Sequence, residues 1–177
     1  MTTGAAIIIA IRLLIPVMIL RWPLIGGVAS MIADTLDVVL IELIGLGGFG
    51  DFYHTTDKLL DTYYLSFELV VSLGWQNAYA KWICAALFPY RVLGVLLFEL
   101  TGHRVMLIIF PNLFENWWLW CALTKDYLPQ FEPKTWRASL VALALLLIPK
   151  MGQEYMLHYA EVQPWDWTKR NILRGLI

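Results

Sequence analysis

The sequence predicts an all-α, polytopic integral membrane protein with six transmembrane helices in antiparallel hairpins. Three observations predict it. The 177-residue chain is 59% hydrophobic and only 15% charged, whereas a soluble domain is about 25% charged and 45–50% apolar. Its mean hydropathy is +0.63. Apolar stretches near the roughly 20 residues needed to cross a bilayer alternate with short breakers. Lipid is therefore the expected solvent, which excludes a soluble enzyme and a disordered chain. A net charge of -1 without any basic run excludes a nucleic-acid binder. Cys84 and Cys121 lie in apolar stretches and read as small buried hydrophobes.

The first predicted span, residues 5–20, is apolar except for Arg12 and ends at Arg21-Trp22-Pro23. The second, 24–46, runs into the glycine-rich stretch 45–50. The third, 57–73, opens on Asp57-Lys58 and stops at Gly74. Residues 81–100 make the fourth, closed by Thr101-Gly102, and 105–123 the fifth. The sixth, 136–158, is read through Pro149 and Lys150, because stopping at Lys150 leaves about a dozen apolar residues, too few to cross. A kink is expected at Pro149, which removes a backbone donor and crowds the preceding turn. Short loops make neighbouring helices antiparallel.

Trp22, Trp75, Trp82, Trp117, Trp118, Trp120 and Trp136 fall near predicted span ends, where an amphipathic ring prefers the headgroup level. Residues 1–177 form one domain, with a polar tail over 159–177 whose Trp165 and Trp167 suit the membrane surface. No cleavable signal peptide is expected, since Met1-Thr2-Thr3-Gly4 lacks a basic region. Basic residues divide evenly between the two faces, so orientation stays open.

The carboxylates carry the chemistry. An aspartate in mid-membrane costs about 2.5–3.5 kcal/mol, yet the second span holds Asp34 and Asp37 at i, i+3. The third span opens with Asp57 and Asp61 at i, i+4. Each spacing puts its pair on one helix face. Asp37 lies about 10–12 Å before the glycine-rich turn, and the second pair begins within about two helical turns after it. The four carboxylates are thus expected to meet and to share protons or a cation. Oxygen-only ligands favour Mg²⁺, Mn²⁺ or Ca²⁺ over zinc or copper. The alternatives are a helix cap for Asp57 and pairing with Lys58, Arg12 or Arg91.

These residues resemble the signature of the CDP-alcohol phosphotransferase (CDP-alcohol phosphatidyltransferase) family, six-helix membrane enzymes with D-x-x-D-G-x-x-A-R followed by G-x-x-x-D-x-x-x-D. Asp34-x-x-Asp37 and Asp57-x-x-x-Asp61 supply the four aspartates, on the second and third spans as in the family. Arg12, Pro16 and Arg91 are similar to further family features. Val38, Ile41-Glu42 and Tyr53 replace the family's glycines and its Ala-Arg pair, so the metal half of the signature is present and the nucleotide half is not.

The resemblance implies Asp34, Asp37, Asp57 and Asp61 as ligands of Mg²⁺ or Mn²⁺. It also implies Asp61 as general base and Arg91 as partner of a phosphate, with a buried carboxylate as that arginine's other candidate partner. The expected function is a divalent-metal-dependent phosphotransferase acting on a CDP-linked or lipid-linked substrate. The alternatives are a non-catalytic polytopic subunit and a carboxylate-lined ion or proton conduit. Expected partners are the lipid bilayer, a lipid- or nucleotide-linked substrate, and a homodimer or larger membrane complex.

Weaker constellations remain. Glu99 with His103 and Glu154 with His158 stand at i, i+4, and Glu115 could join them in a di-metal bundle site, although the established bundle spacing is i, i+3. His54, His103 and His158 are candidate haem or chlorophyll ligands, with no C-x-x-C-H motif beside them. Asn112, Glu115 and Asn116 cluster around Pro111, either as interhelical hydrogen bonding at a kink or as a polar cavity wall. The 45–50 run lacks the lysine and threonine of a phosphate loop.

Overall fold

A computed structural model describes residues 2–44, 53–160, 162 and 164–171 of the chain. All regular structure among the described residues is helical. Helix α1, Thr3–Leu14, is capped by Thr2, whose hydroxyl accepts the Ala5 N–H at 3.2 Å. It tightens into a 3₁₀ stretch over Ile15–Leu20. Pro16 accounts for the change, since it offers no N–H to the preceding turn.

Helix α2 is Pro23–Ile44, with proline at the first position, where the missing donor costs nothing. The predicted glycine-rich turn, 45–50, lies outside the described residues. Gly26 lets α2 cross the 3₁₀ stretch closely: a Cβ there would overlap the backbone of Met18 and Ile19. Helix α3, Tyr53–Leu73, starts one turn before the predicted boundary. Helix α4, Ala78–Thr101, is capped by Asn77 and closes at Gly102, whose φ of 69° is the left-handed conformation that glycine tolerates.

The predicted fifth span is two helices, α5 over Val105–Ile109 and α6 over Leu113–Asp126. Pro111 causes the break, because the residue before a proline is driven out of the helical region, and Phe110 stands at φ -114° and ψ 65°. Helix α7, Trp136–Glu154, continues through Pro149 and passes into a π turn over Tyr155–Tyr159. Lys150 is tolerated inside it because its Nζ pairs with Glu154 Oε1, one turn on, at 3.3 Å. The polar tail forms a short helix α8, Pro164–Asn171.

The core lies where α3, α4 and α6 pack together. Trp117 and Trp118 are fully buried there and Trp75 nearly so, packed against protein rather than turned to the surface. Burial of Trp117 and Trp118 is tolerable because their indole N–H groups find carbonyls: Trp118 Nε1 donates to Glu68 at 2.6 Å, and Trp117 Nε1 to Ala80 at 3.3 Å, whereas Trp120 Nε1 has no partner among the described residues. Trp75 stacks on Trp118 at 5.8 Å. Trp22, Trp82 and Trp136 are exposed.

Four of the described helical stretches are long and apolar enough to cross a membrane: Thr3–Leu20, Ala78–Thr101, Val105–Asp126 and Trp136–Leu157. The aspartate-bearing α2 and α3 are not among them. The exterior is apolar, with Leu14, Leu100, Leu145 and Ile148 turned outward.

Candidate functional site

Three helices bring the site together. On α1, Ala5, Ile8 and Arg12 share the buried face, so the apolar stripe that docks the helix also carries the guanidinium inward. On α2, Gly26, Ser30, Ala33 and Asp37 repeat at helical spacing along the buried face, with Asp34 half-buried beside them. On α3, Asp61, Tyr64, Glu68 and Ser72 are buried at the same periodicity, and Asp57 precedes them by one turn.

Arg12 stands at the meeting point and binds all four predicted aspartates. Its Nη1 donates to Asp37 Oδ2 at 3.0 Å and to Asp57 Oδ1 at 2.8 Å. Its Nη2 donates to Asp34 Oδ1 at 2.5 Å and to Asp61 Oδ1 at 2.6 Å. A terminal guanidinium nitrogen carries two hydrogens, so both are saturated, one hydrogen per aspartate. Lys58 adds a second cation, with Nζ 2.7 Å from Asp57 Oδ2 and 3.1 Å from Asp61 Oδ2. The convergence expected from the spacing is present, and the charge is met by two side chains named at the sequence level only as alternative partners. Asp57 serves as an ion-pair partner, inside α3 rather than at its cap.

One carboxylate oxygen each from Asp34, Asp37 and Asp57 lies within 4.8 Å of the other two. Hard divalent cations bind carboxylate oxygens at about 2.0–2.6 Å, so these three are candidate ligands of one ion. The donor chemistry fits Mg²⁺ or Mn²⁺. Among the described residues the four carboxylates bond two cationic side chains, and Arg91 adds a third positive charge close enough to act on Asp61. The guanidinium competes for the same oxygens, so an ion has to displace part of its hydrogen bonding.

Arg91 is buried on α4 and donates from Nη1 to the Phe110 carbonyl at 3.0 Å. That carbonyl belongs to the break between α5 and α6, so Arg91 satisfies an acceptor that the helix interruption leaves open. Among the described residues it makes no ion pair with a carboxylate. Glu99 is exposed and accepts the Thr55 hydroxyl at 3.0 Å, and His103 is exposed past the end of α4. The side chains of Val38, Ile41, Glu42, Tyr53, His54 and His158 lie outside what is described.

A second buried polar group joins α3, α6 and α7. The Tyr64 hydroxyl donates to Glu115 Oε1 at 2.7 Å, and Asn112 Nδ2 donates to Glu115 Oε2 at 3.0 Å. The Asn112 backbone N–H donates to Glu154 Oε1 at 3.1 Å, and Glu154 pairs with Lys150. Sequence reasoning placed Asn112 and Glu115 together around Pro111 but missed Tyr64 and Glu68. The signal was available: Asp57, Asp61, Tyr64 and Glu68 follow one another at spacings of four, three and four residues, a single helical face. No protein-family model matches the chain, and neither a curated protein nor a solved structure is significantly similar to it.

Proposed function

We propose that the chain is a multi-pass membrane protein in which α2 and α3 complete a six-span bundle of hairpins. We further propose that its acidic centre serves a divalent-metal-dependent phosphotransfer on a CDP-linked or lipid-linked substrate. The observation that carries this reading is the convergence of Asp34, Asp37, Asp57 and Asp61 on one point from two helices. Support comes from the oxygen-only donor set that these aspartates offer. The resemblance to the CDP-alcohol phosphotransferases supplies the reaction class.

On this reading Asp34, Asp37, Asp57 and Asp61 hold Mg²⁺ or Mn²⁺, which when bound neutralises pyrophosphate charge as a Lewis acid. Asp61 takes the proton of the attacking hydroxyl at a carboxylate oxygen. Lys58 orients Asp57 and Asp61 from the side opposite Arg12 in the hydrogen-bond network, since it contacts the second oxygen of each. Arg91 spends one donor on Phe110 and keeps the others for a substrate phosphate.

One observation favours a second reading. A guanidinium saturated by four aspartates is also what a fixed ionic staple requires, and a non-catalytic subunit of a membrane complex needs nothing more. Mn²⁺ binding by the purified protein separates the two readings, compared between wild type and the Asp57→Asn, Asp61→Asn double variant. The expected result is binding that the double variant loses, together with Mn²⁺-dependent release of CMP from a CDP-linked lipid that Asp61→Asn abolishes. Wild-type protein that binds no Mn²⁺ would sink the phosphotransferase reading and leave the subunit.

A further inference from the structure

Glu68 belongs to neither the ionic centre nor any hydrogen bond of the second polar group. It is fully buried on α3, and among the described residues neither Oε1 nor Oε2 has a hydrogen-bond partner. Among the described residues, the helices packed around it offer no cation. From α6, Glu115 is the acidic group that acts on it, and Trp118 spends its N–H on the Glu68 backbone carbonyl rather than on the carboxyl. From α4 comes Cys84, and from its own helix Tyr64, whose hydroxyl is committed to Glu115. From α2 comes Gly27, where an added Cβ would stand 3.2 Å from Glu68 Oε1.

Glu115 is provided for as an anion, because it accepts from both Tyr64 and Asn112. Glu68 is not. An unpaired carboxylate anion in an apolar interior carries its whole desolvation penalty, which the neutral acid avoids. A second orphan lies in the same region: Asn112 Oδ1 is buried with no donor, an open acceptor on the residue that holds Glu115.

We propose that Glu68 is a buried proton-binding site beside the Tyr64–Glu115–Asn112 hydrogen-bond chain, holding its carboxyl as the neutral acid and reacting selectively with apolar carbodiimides. Such reagents add the acid O–H across one C=N bond. The carboxyl oxygen bonds the central carbon and the proton goes to nitrogen, after which acyl migration to nitrogen leaves a stable N-acylurea. Nothing is oxidised and no group departs. Asp57, Asp61, Glu115 and Glu154 all accept from donors or cations and are expected to stay unmodified.

The test treats the full-length protein in liposomes with dicyclohexylcarbodiimide at neutral pH and maps the adduct by mass spectrometry. The expected result is an adduct on the peptide containing Glu68, absent from Glu68→Gln, with the Gln variant melting at the wild-type temperature. A folded protein whose Glu68 stays unmodified would overturn the proposal, as would a Glu68→Gln variant that melts well below wild type. Protection of Glu68 by added Na⁺ at constant pH would overturn it in favour of a metal-cation site. Mn²⁺ binding at the aspartates has no part in the readout, so this proposal and the phosphotransferase reading fail separately.

Discussion

In the N-terminal half of α3, Asp57 and Asp61 each give both carboxylate oxygens to cations, one to Arg12 and one to Lys58. Two helical turns further along the same face, Glu68 has neither a cation nor a donor among the described residues. The two halves thus stabilise buried carboxylates by opposite means. The first surrounds anions with charge and becomes a rigid junction of three helices. The second removes the charge by holding a proton and stays decoupled from its surroundings. A buried ion pair is costly to break because the surviving partner keeps its desolvation penalty, whereas a neutral acid without partners has little to lose. Variants at the two places should therefore differ in size of effect and in their response to cations.

The largest effect is expected at Arg12. In Arg12→Met, all four carboxylates lose the guanidinium that joins them, and the loss of stability should be about 3–5 kcal/mol, the range for breaking a buried ionic network. Thermal unfolding in detergent reads it directly. Because the variant carries a greater excess of negative charge, Mn²⁺ should raise its melting temperature more than that of wild type. A variant indifferent to Mn²⁺ would mean that the aspartates are shaped for the guanidinium and for no other cation.

A middle-sized effect is expected where the two halves meet. Tyr64 lies between Asp61 and Glu68 on the face, and its hydroxyl is one of two donors to Glu115. Tyr64→Phe removes that bond without changing the packing of the ring, at a cost of about 1.5–3 kcal/mol for a hydrogen bond to a charged acceptor. Denaturant titration against wild type checks it. A loss as large as that of Arg12→Met would show that the two polar regions act as one network, and the contrast between the halves of α3 would fall.

Much of the upper centre was legible from spacing alone. Asp34 with Asp37 and Asp57 with Asp61 each repeat at helical intervals, and a short link between two antiparallel helices brings the pairs to one height. The role of Arg12 was not legible, because a residue on a third helix joins the cluster only through packing. That packing depends on Pro16 tightening the chain and on Gly26 admitting its backbone. Averaged hydropathy also hid the break at Phe110-Pro111, since five apolar residues precede it and the tryptophan-rich α6 follows. The buried tryptophans escaped for a related reason: span ends attract indoles to an interface, but a carbonyl within reach of the N–H makes the interior equally acceptable. Glu68 stands in an otherwise largely apolar run, and only its register with Asp61 and Tyr64 marks it.

The smallest effect is the sharpest test of the contrast. Glu68→Met replaces an acid without partners by an unbranched apolar side chain of similar length, which adapts to the space between Gly27 and Trp118. Nothing is left unpaired by the change, because no donor among the described residues points at Glu68, and the buried polar surface is removed. The variant should be neutral or more stable by about 1 kcal/mol, the outcome seen when buried polar groups give way to apolar ones of the same shape. Asp37→Leu is the matched change in the upper half, equally buried, and it strips one acceptor from Arg12 while three carboxylates remain around the guanidinium. That variant should lose stability, because a guanidinium N–H is left without its acceptor in a dry interior. Measured side by side, opposite signs would establish that α3 carries a charged half and a neutral half. Equal losses would mean that Glu68 is held as an ion after all.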